Sequence, residues 1–147
     1  MILSAQQLFS DAQNAAASGT VVSTNTIDLF PVGAVRNAPA GVSLIRDVGP
    51  GQPVAIVVVA TSPAASTIKV DIIQSANANL SAPDILESSG VITLVAAKPQ
   101  ILGLNFLPDR ITKQYIGLQY TTGAGVGGVN IDAGITLGKQ SAGVGGT

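Results

Sequence analysis

Apolar and polar positions alternate most cleanly over residues 66–75, where Ile68, Val70 and Ile72 fall on one side and Lys69 and Asp71 on the other. A period of two marks a strand with one face inward and one outward. Residues 53–61 instead form a near-continuous Val/Ile run, which suits a strand covered on both faces. The same reading gives strands over 20–29, 42–45, 91–97, 101–107, 113–122 and 129–137. In the last two, Ile116, Leu118 and Tyr120 share a face, as do Ile131, Ala133, Ile135 and Leu137. Gly and Pro punctuate the gaps, at Pro31, Gly33, Pro39 and Gly41 and at Gly49-Pro50-Gly51. The stretch 76–90 is polar and reads as a loop with one helical turn from Asp84 to Glu87. Short strands at this spacing, with no long helix, predict an all-β chain folded as a two-sheet, jelly-roll-like β-sandwich over 20–137.

The two ends break the pattern. Residues 1–19 are rich in Ala, Gln, Ser and Asn, and their apolar side chains, Ile2, Leu3, Leu8 and Phe9, do not continue at helical spacing. Ser4 and Gln7 have capping-box spacing, so a short helix is one reading. The other is an extended N-terminal arm that orders on contact with a partner, and 1–19 is expected to be such an arm. Residues 138–147 are glycine-rich and are expected to form a flexible tail.

Composition narrows the chemistry. Of 147 residues, 46% are hydrophobic and only 10% charged, against roughly 25% charged in average soluble domains. His, Cys and Trp are absent. This excludes His- or Cys-ligated metals, thiol nucleophiles, disulfides and His-based triads. A net charge of −1 points to neither nucleic acid nor an anionic membrane. The longest unbroken apolar run, 54–60, falls far short of the ~20 residues of a spanning helix. The first residues lack the basic start and long apolar core of a signal peptide. A mean hydropathy of +0.47 without a membrane segment predicts apolar surface buried between subunits, hence a homo-oligomer or a larger assembly.

Candidate sites are few. Residues 123–128 satisfy G-x-G-x-x-G, but a β-branched, alternating segment follows where a dinucleotide site needs a helix, so a β-hairpin loop is expected. The eight carboxylates are scattered, Asp84 and Glu87 being the closest pair, with no calcium-loop pattern. No catalytic residue, cofactor or metal is therefore assigned, and the chain is not expected to be an enzyme. Arg46-Asp47 and Asp109-Arg110 each sit beside a turn. Each is either a loop ion pair contributing up to about 1 kcal/mol or a contact pair that orients the protein against a partner. Tyr120 belongs to the apolar face, whereas Tyr115 lies opposite it and is a surface or interface aromatic. The candidate interface residues are thus Ile2, Leu3, Leu8, Phe9, Arg46, Asp47, Asp109, Arg110 and Tyr115.

Several segments, in their order, resemble the small jelly-roll cement (decoration) proteins of tailed-bacteriophage capsids. These are Gln-Leu-Phe-Ser-Asp-Ala-Gln at 7–13, Val-Val-Ser-Thr-Asn-Thr-Ile-Asp-Leu at 21–29, and the Arg-Asp-Val-Gly-Pro-Gly-Gln-Pro turn at 46–53. Near the end come Leu-Pro-Asp-Arg at 107–110, Tyr-Ile-Gly-Leu-Gln-Tyr at 115–120, a glycine loop and a closing strand. The Pro/Ala-rich loop over 31–41 and the weakly charged surface depart from the family's pattern. The resemblance implies a structural virion protein, made in the host bacterial cytoplasm and carried on the outer capsid surface. It would bind the major capsid protein shell as a dimer or trimer and bridge neighbouring capsomers. A carbohydrate- or receptor-binding β-sandwich module of a phage fibre or adhesin is the alternative.

Overall fold

The computed structural model describes residues 7–15, 19–33, 37, 39, 55–61, 67–95, 100–104, 111–123 and 129–136. Among them are nine strands and no α-helix. In chain order they are β1 (Leu8–Ala15), β2 (Gly19–Val22), β3 (Ile27–Asp28), β4 (Ala55–Thr61), β5 (Thr67–Ser75), β6 (Asp84–Thr93), β7 (Gln100–Leu104), β8 (Tyr115–Thr122) and β9 (Val129–Thr136). They form two antiparallel sheets. One has the order β1-β9-β4-β7; the other has the order β2-β8-β5-β6, with β3 also paired to β8.

Side-chain chemistry explains the layering. Along β5, Ile68, Val70 and Ile72 are buried, and along β8 so are Ile116, Leu118 and Tyr120. Ile56, Val58 and Ala60 from β4 and Ile131 and Ala133 from β9 join the same core from the other sheet. The alternation in β5, β8 and β9 therefore picked out the residues that face the core, but the other face of β5 is not outward as expected: Asp71, Ile73 and Ser75 are buried there. The Val/Ile run also behaves as expected, since β4 lies between β9 and β7 with both Val57 and Val58 buried.

Residues 8–15 are not a free arm. They form edge strand β1, paired with β9, and Phe9 is fully buried in the chain's own core. The strand was hidden in the sequence because register shifts between Leu8 and Ser10 and between Ser10 and Gln13 break its period. At the second, Ala12 adopts φ 46° and its N–H donates to Asp132 Oδ1 at 2.6 Å.

The stretch 76–90, read as a polar loop with a helical turn, holds most of edge strand β6, which runs on to Thr93 and so takes in the start of the strand expected at 91–97. Two irregularities in its pairing with β5 disguise it, one spanning Ser88–Val91, where Gly90 takes φ 72°. Ser88 and Ser89 close this bulge: Ser89 Oγ accepts the Val70 N–H at 3.0 Å, and Ser88 Oγ accepts that of Gly90 at 3.3 Å. The strand expected over 20–29 is split into β2 and β3. Between them Ser23 bonds to both backbone groups of Leu118, through N to O at 2.8 Å and through Oγ from N at 3.1 Å. The glycine loop after β8 is not a hairpin, because β8 and β9 belong to different sheets. The strand expected at 42–45 and the tail at 138–147 lie outside the described residues.

Candidate contact surface

Ile2, Leu3, Arg46, Asp47, Asp109 and Arg110 lie outside the described residues. The structure therefore places only Leu8, Phe9 and Tyr115 from the candidate set. Leu8 is half-buried at the start of β1, and Phe9 is in the core, so its contact role is corrected: it is spent on folding. Tyr115 opens β8, half-buried, on the face opposite Tyr120.

Register gathers a mostly polar surface around Tyr115. Its neighbours across the sheet are Asp28 in β3 and Ser75 in β5. Beyond Ser75 the loop over 76–83 turns back into β6, and Ala76, Asn77, Ala78, Asn79 and Ser81 line a shallow, solvent-open depression of about 540 Å³ with Tyr115. Ser75 Oγ donates to Ser81 O at 2.8 Å and accepts the Asn77 N–H at 3.0 Å. Asn77 Nδ2 donates to Ser81 Oγ at 3.0 Å, and Asn79 Oδ1 accepts the Ser81 N–H at 3.1 Å. Leu80 anchors the loop: it is buried, adopts φ 55°, and its Cδ1 fills the space a Cβ on Gly117 would need. A side chain at 117 would have to displace it.

Phe30 stands at the same end of the sheet. It is 71% exposed and takes φ 60°, a backbone region costly for an aromatic residue, where a residue preceding proline is normally extended. Asp28 holds this shape, its Oδ1 accepting from Phe30 N at 2.7 Å and from Gln114 Nε2 at 2.8 Å. The connection into β8 is fixed from the core side by buried Gln74. Its Oε1 accepts the N–H groups of Thr112 at 2.8 Å and Lys113 at 3.0 Å. Sequence reasoning missed Phe30, Asn77, Asn79 and Ser81. Asn-Ala-Asn between two strands looks like any turn, and nothing in Phe-Pro announces a left-handed residue.

The remaining polar groups serve the framework. Tyr120 is fully buried with its hydroxyl 2.8 Å from Ser10 Oγ, which donates to Gln13 Oε1 at 2.6 Å. Since Ser10 has one proton, Tyr120 is the donor to Ser10. Gln13 also accepts from Thr24 N at 3.0 Å and donates to Val22 O at 2.8 Å, so the chain of bonds ties β1 to the opposite sheet. Burial pushes the Tyr120 phenol well above its ordinary range, and the Ser10 bond only partly opposes this. Lys69 and Asp71 were expected to point outward together, but Asp71 is 1% exposed, with Lys69 Nζ 2.8 Å from Oδ2. Ser66 and Lys69 have Ser-x-x-Lys spacing, but Ser66 lies outside the described residues and Lys69 is paired with Asp71.

Three more carboxylates are engaged: Asp28 by Phe30 and Gln114, Asp84 by Lys113 at 2.8 Å, and Asp132 by Ala12. No cluster of three or more potential metal ligands occurs among the described residues. No helix among them is long and apolar enough to cross a membrane. What the surface offers is a contact area of aromatic and amide groups around one exposed carboxylate, Asp28. No protein-family model and no curated protein matches this chain.

Proposed function

We propose that this chain is a jelly-roll decoration protein of a tailed-bacteriophage virion, a non-enzymatic structural component. In this reading it binds the outer surface of the major capsid protein shell as a dimer or trimer and bridges neighbouring capsomers. The observation that carries the reading is the strand order. With β2 and β3 counted as one interrupted edge strand, the sheets run first-eighth-third-sixth and second-seventh-fourth-fifth. Early and late strands interleave in both sheets, as two nested Greek keys require, and this architecture is used by viral capsid and lectin domains.

The resemblance adds support through its placement. Its two most specific segments, 7–13 and 115–120, fall in or beside β1 and β8, which are joined through Tyr120 and Ser10. The likeness thus lies in the framework of the sandwich. A repeated shell would multiply modest contacts into strong binding, so a small surface suffices for attachment. The test is addition of the purified chain to undecorated shells assembled from the major capsid protein of its own phage. Saturable binding at a fixed copy ratio, with shells that withstand more heat, is expected. Absence of binding at micromolar protein overturns the proposal.

A further inference from the structure

We infer that the depression between Tyr115 and the loop over 76–83 is a binding site for a neutral saccharide. The inference is independent of the shell-binding role and concerns another surface property of the same molecule. Its first support is the bonding capacity left over in the loop. Asn77 spends its amide N–H on Ser81, which leaves Oδ1 as an acceptor. Asn79 spends Oδ1 on the Ser81 N–H, which leaves Nδ2 as a donor. Ser81 Oγ accepts from Asn77, so its own proton remains to be donated. Tyr115 adds a hydroxyl and an aromatic ring to the same wall. Alternating neutral donors and acceptors beside a ring match the vicinal hydroxyls and C–H faces of a sugar.

Charge and rigidity point the same way. No carboxylate, lysine or arginine lines the depression; Asp28, beside Tyr115 in the register, accepts from Phe30 and Gln114, and Asp84 and Lys113 pair with each other at 2.8 Å, so the lining itself selects neither an anion nor a cation. The loop is held by bonds to Ser75, by buried Leu80 and by left-handed conformations at Leu80 and Ala82, with φ 55° and 47°. Strain of this sort in a non-glycine loop collects at binding sites, where a shape fixed in advance lowers the entropy lost on binding. The depression, about 540 Å³, has room for a sugar ring but is shallow and open to solvent. Its openness limits one site to weak affinity, which many copies on one particle would compensate.

The experiment is amide chemical-shift mapping of the ¹⁵N-labelled full chain with the methyl glycosides of glucose, galactose, mannose and N-acetylglucosamine. At least one sugar is expected to give saturable shifts confined to residues 76–81 and 115, at millimolar strength. Asn79→Asp keeps the Oδ1 acceptor that shapes the loop and removes the Nδ2 donor. It should weaken that response at least tenfold with an unchanged melting temperature and unchanged shell binding. No response at these residues with any of the four sugars, at tens of millimolar, overturns the inference. So does a response to shell protein alone at these residues, which would make the depression a protein contact. A sugar response without shell binding would leave this site standing and remove only the proposed structural role.

Discussion

Tyr120 carries its hydroxyl into the core and finds one partner there, Ser10. The two ends of this bond are unequal. Tyr120→Phe removes the donor and leaves Ser10 still bonded to Gln13, so it should cost about 1 kcal/mol, the net worth of one ordinary bond. Ser10→Ala strands a buried phenol and takes a partner from Gln13, so about 1–3 kcal/mol is expected. Urea unfolding of both variants checks the order, and equal costs would contradict it. The phenol also links stability to pH. In the unfolded chain it ionises near its ordinary value of 10, while burial holds the proton on in the native state. Above pH 10 the unfolded state therefore binds fewer protons, and stability falls as pH rises, by up to about 1.4 kcal/mol per pH unit. The contribution is intact below pH 10. In a Tyr115→Phe background, ultraviolet titration of the remaining tyrosine should coincide with unfolding; titration of a still-folded protein near pH 10 would refute this.

At the scale of elements, β1 behaves differently from a detachable arm. Phe9 fills the core, and Ser10 and Gln13 clamp β2 and the turn after it. Phe9→Ala should cost about 3–5 kcal/mol, the usual range for a buried aromatic. Deletion of residues 1–12 should abolish cooperative unfolding or lower the melting temperature steeply. A truncated protein that melts like the intact chain would show that β1 is dispensable. The contrast among strands explains what the sequence could reveal. β4, β8 and β9 keep their apolar pattern, so their faces could be read directly; in β5 the pattern gave the core residues Ile68, Val70 and Ile72 but not the burial of Asp71 and Ile73 on the other face. β1 and β6 carry bulges, and β1 places polar Ser10 and Gln13 at buried positions, so each resembled a solvated segment. The Tyr115 surface was half legible: the tyrosine stood out, whereas Phe30 and the Asn-Ala-Asn loop acquire meaning only through strand register and left-handed backbone. That information is long-range, and no local pattern contains it.

For the whole molecule, the balance of charge and apolar surface decides how copies should meet. Seven basic and eight acidic residues on 147 leave little to attract or repel at a distance. Among the described residues, Lys69–Asp71 and Lys113–Asp84 already pair within the chain. Meanwhile Phe30, Ile85 and Val91 are exposed by 71%, 54% and 73%, Ile85 and Val91 both on edge strand β6. Association of such a surface is driven by apolar and neutral polar contact, which salt does not screen. Light scattering of the isolated protein should therefore give a multiple of 14.6 kDa. The mass should persist in about 1 M salt, where the Debye length is ~3 Å. Dissociation by salt would instead assign the contact to charged pairs, with Arg46, Asp47, Asp109 and Arg110 the first to replace by alanine. A monomer at micromolar concentration under both conditions, with no assembly on a shell, would refute self-association and leave the exposed β6 residues as ordinary surface.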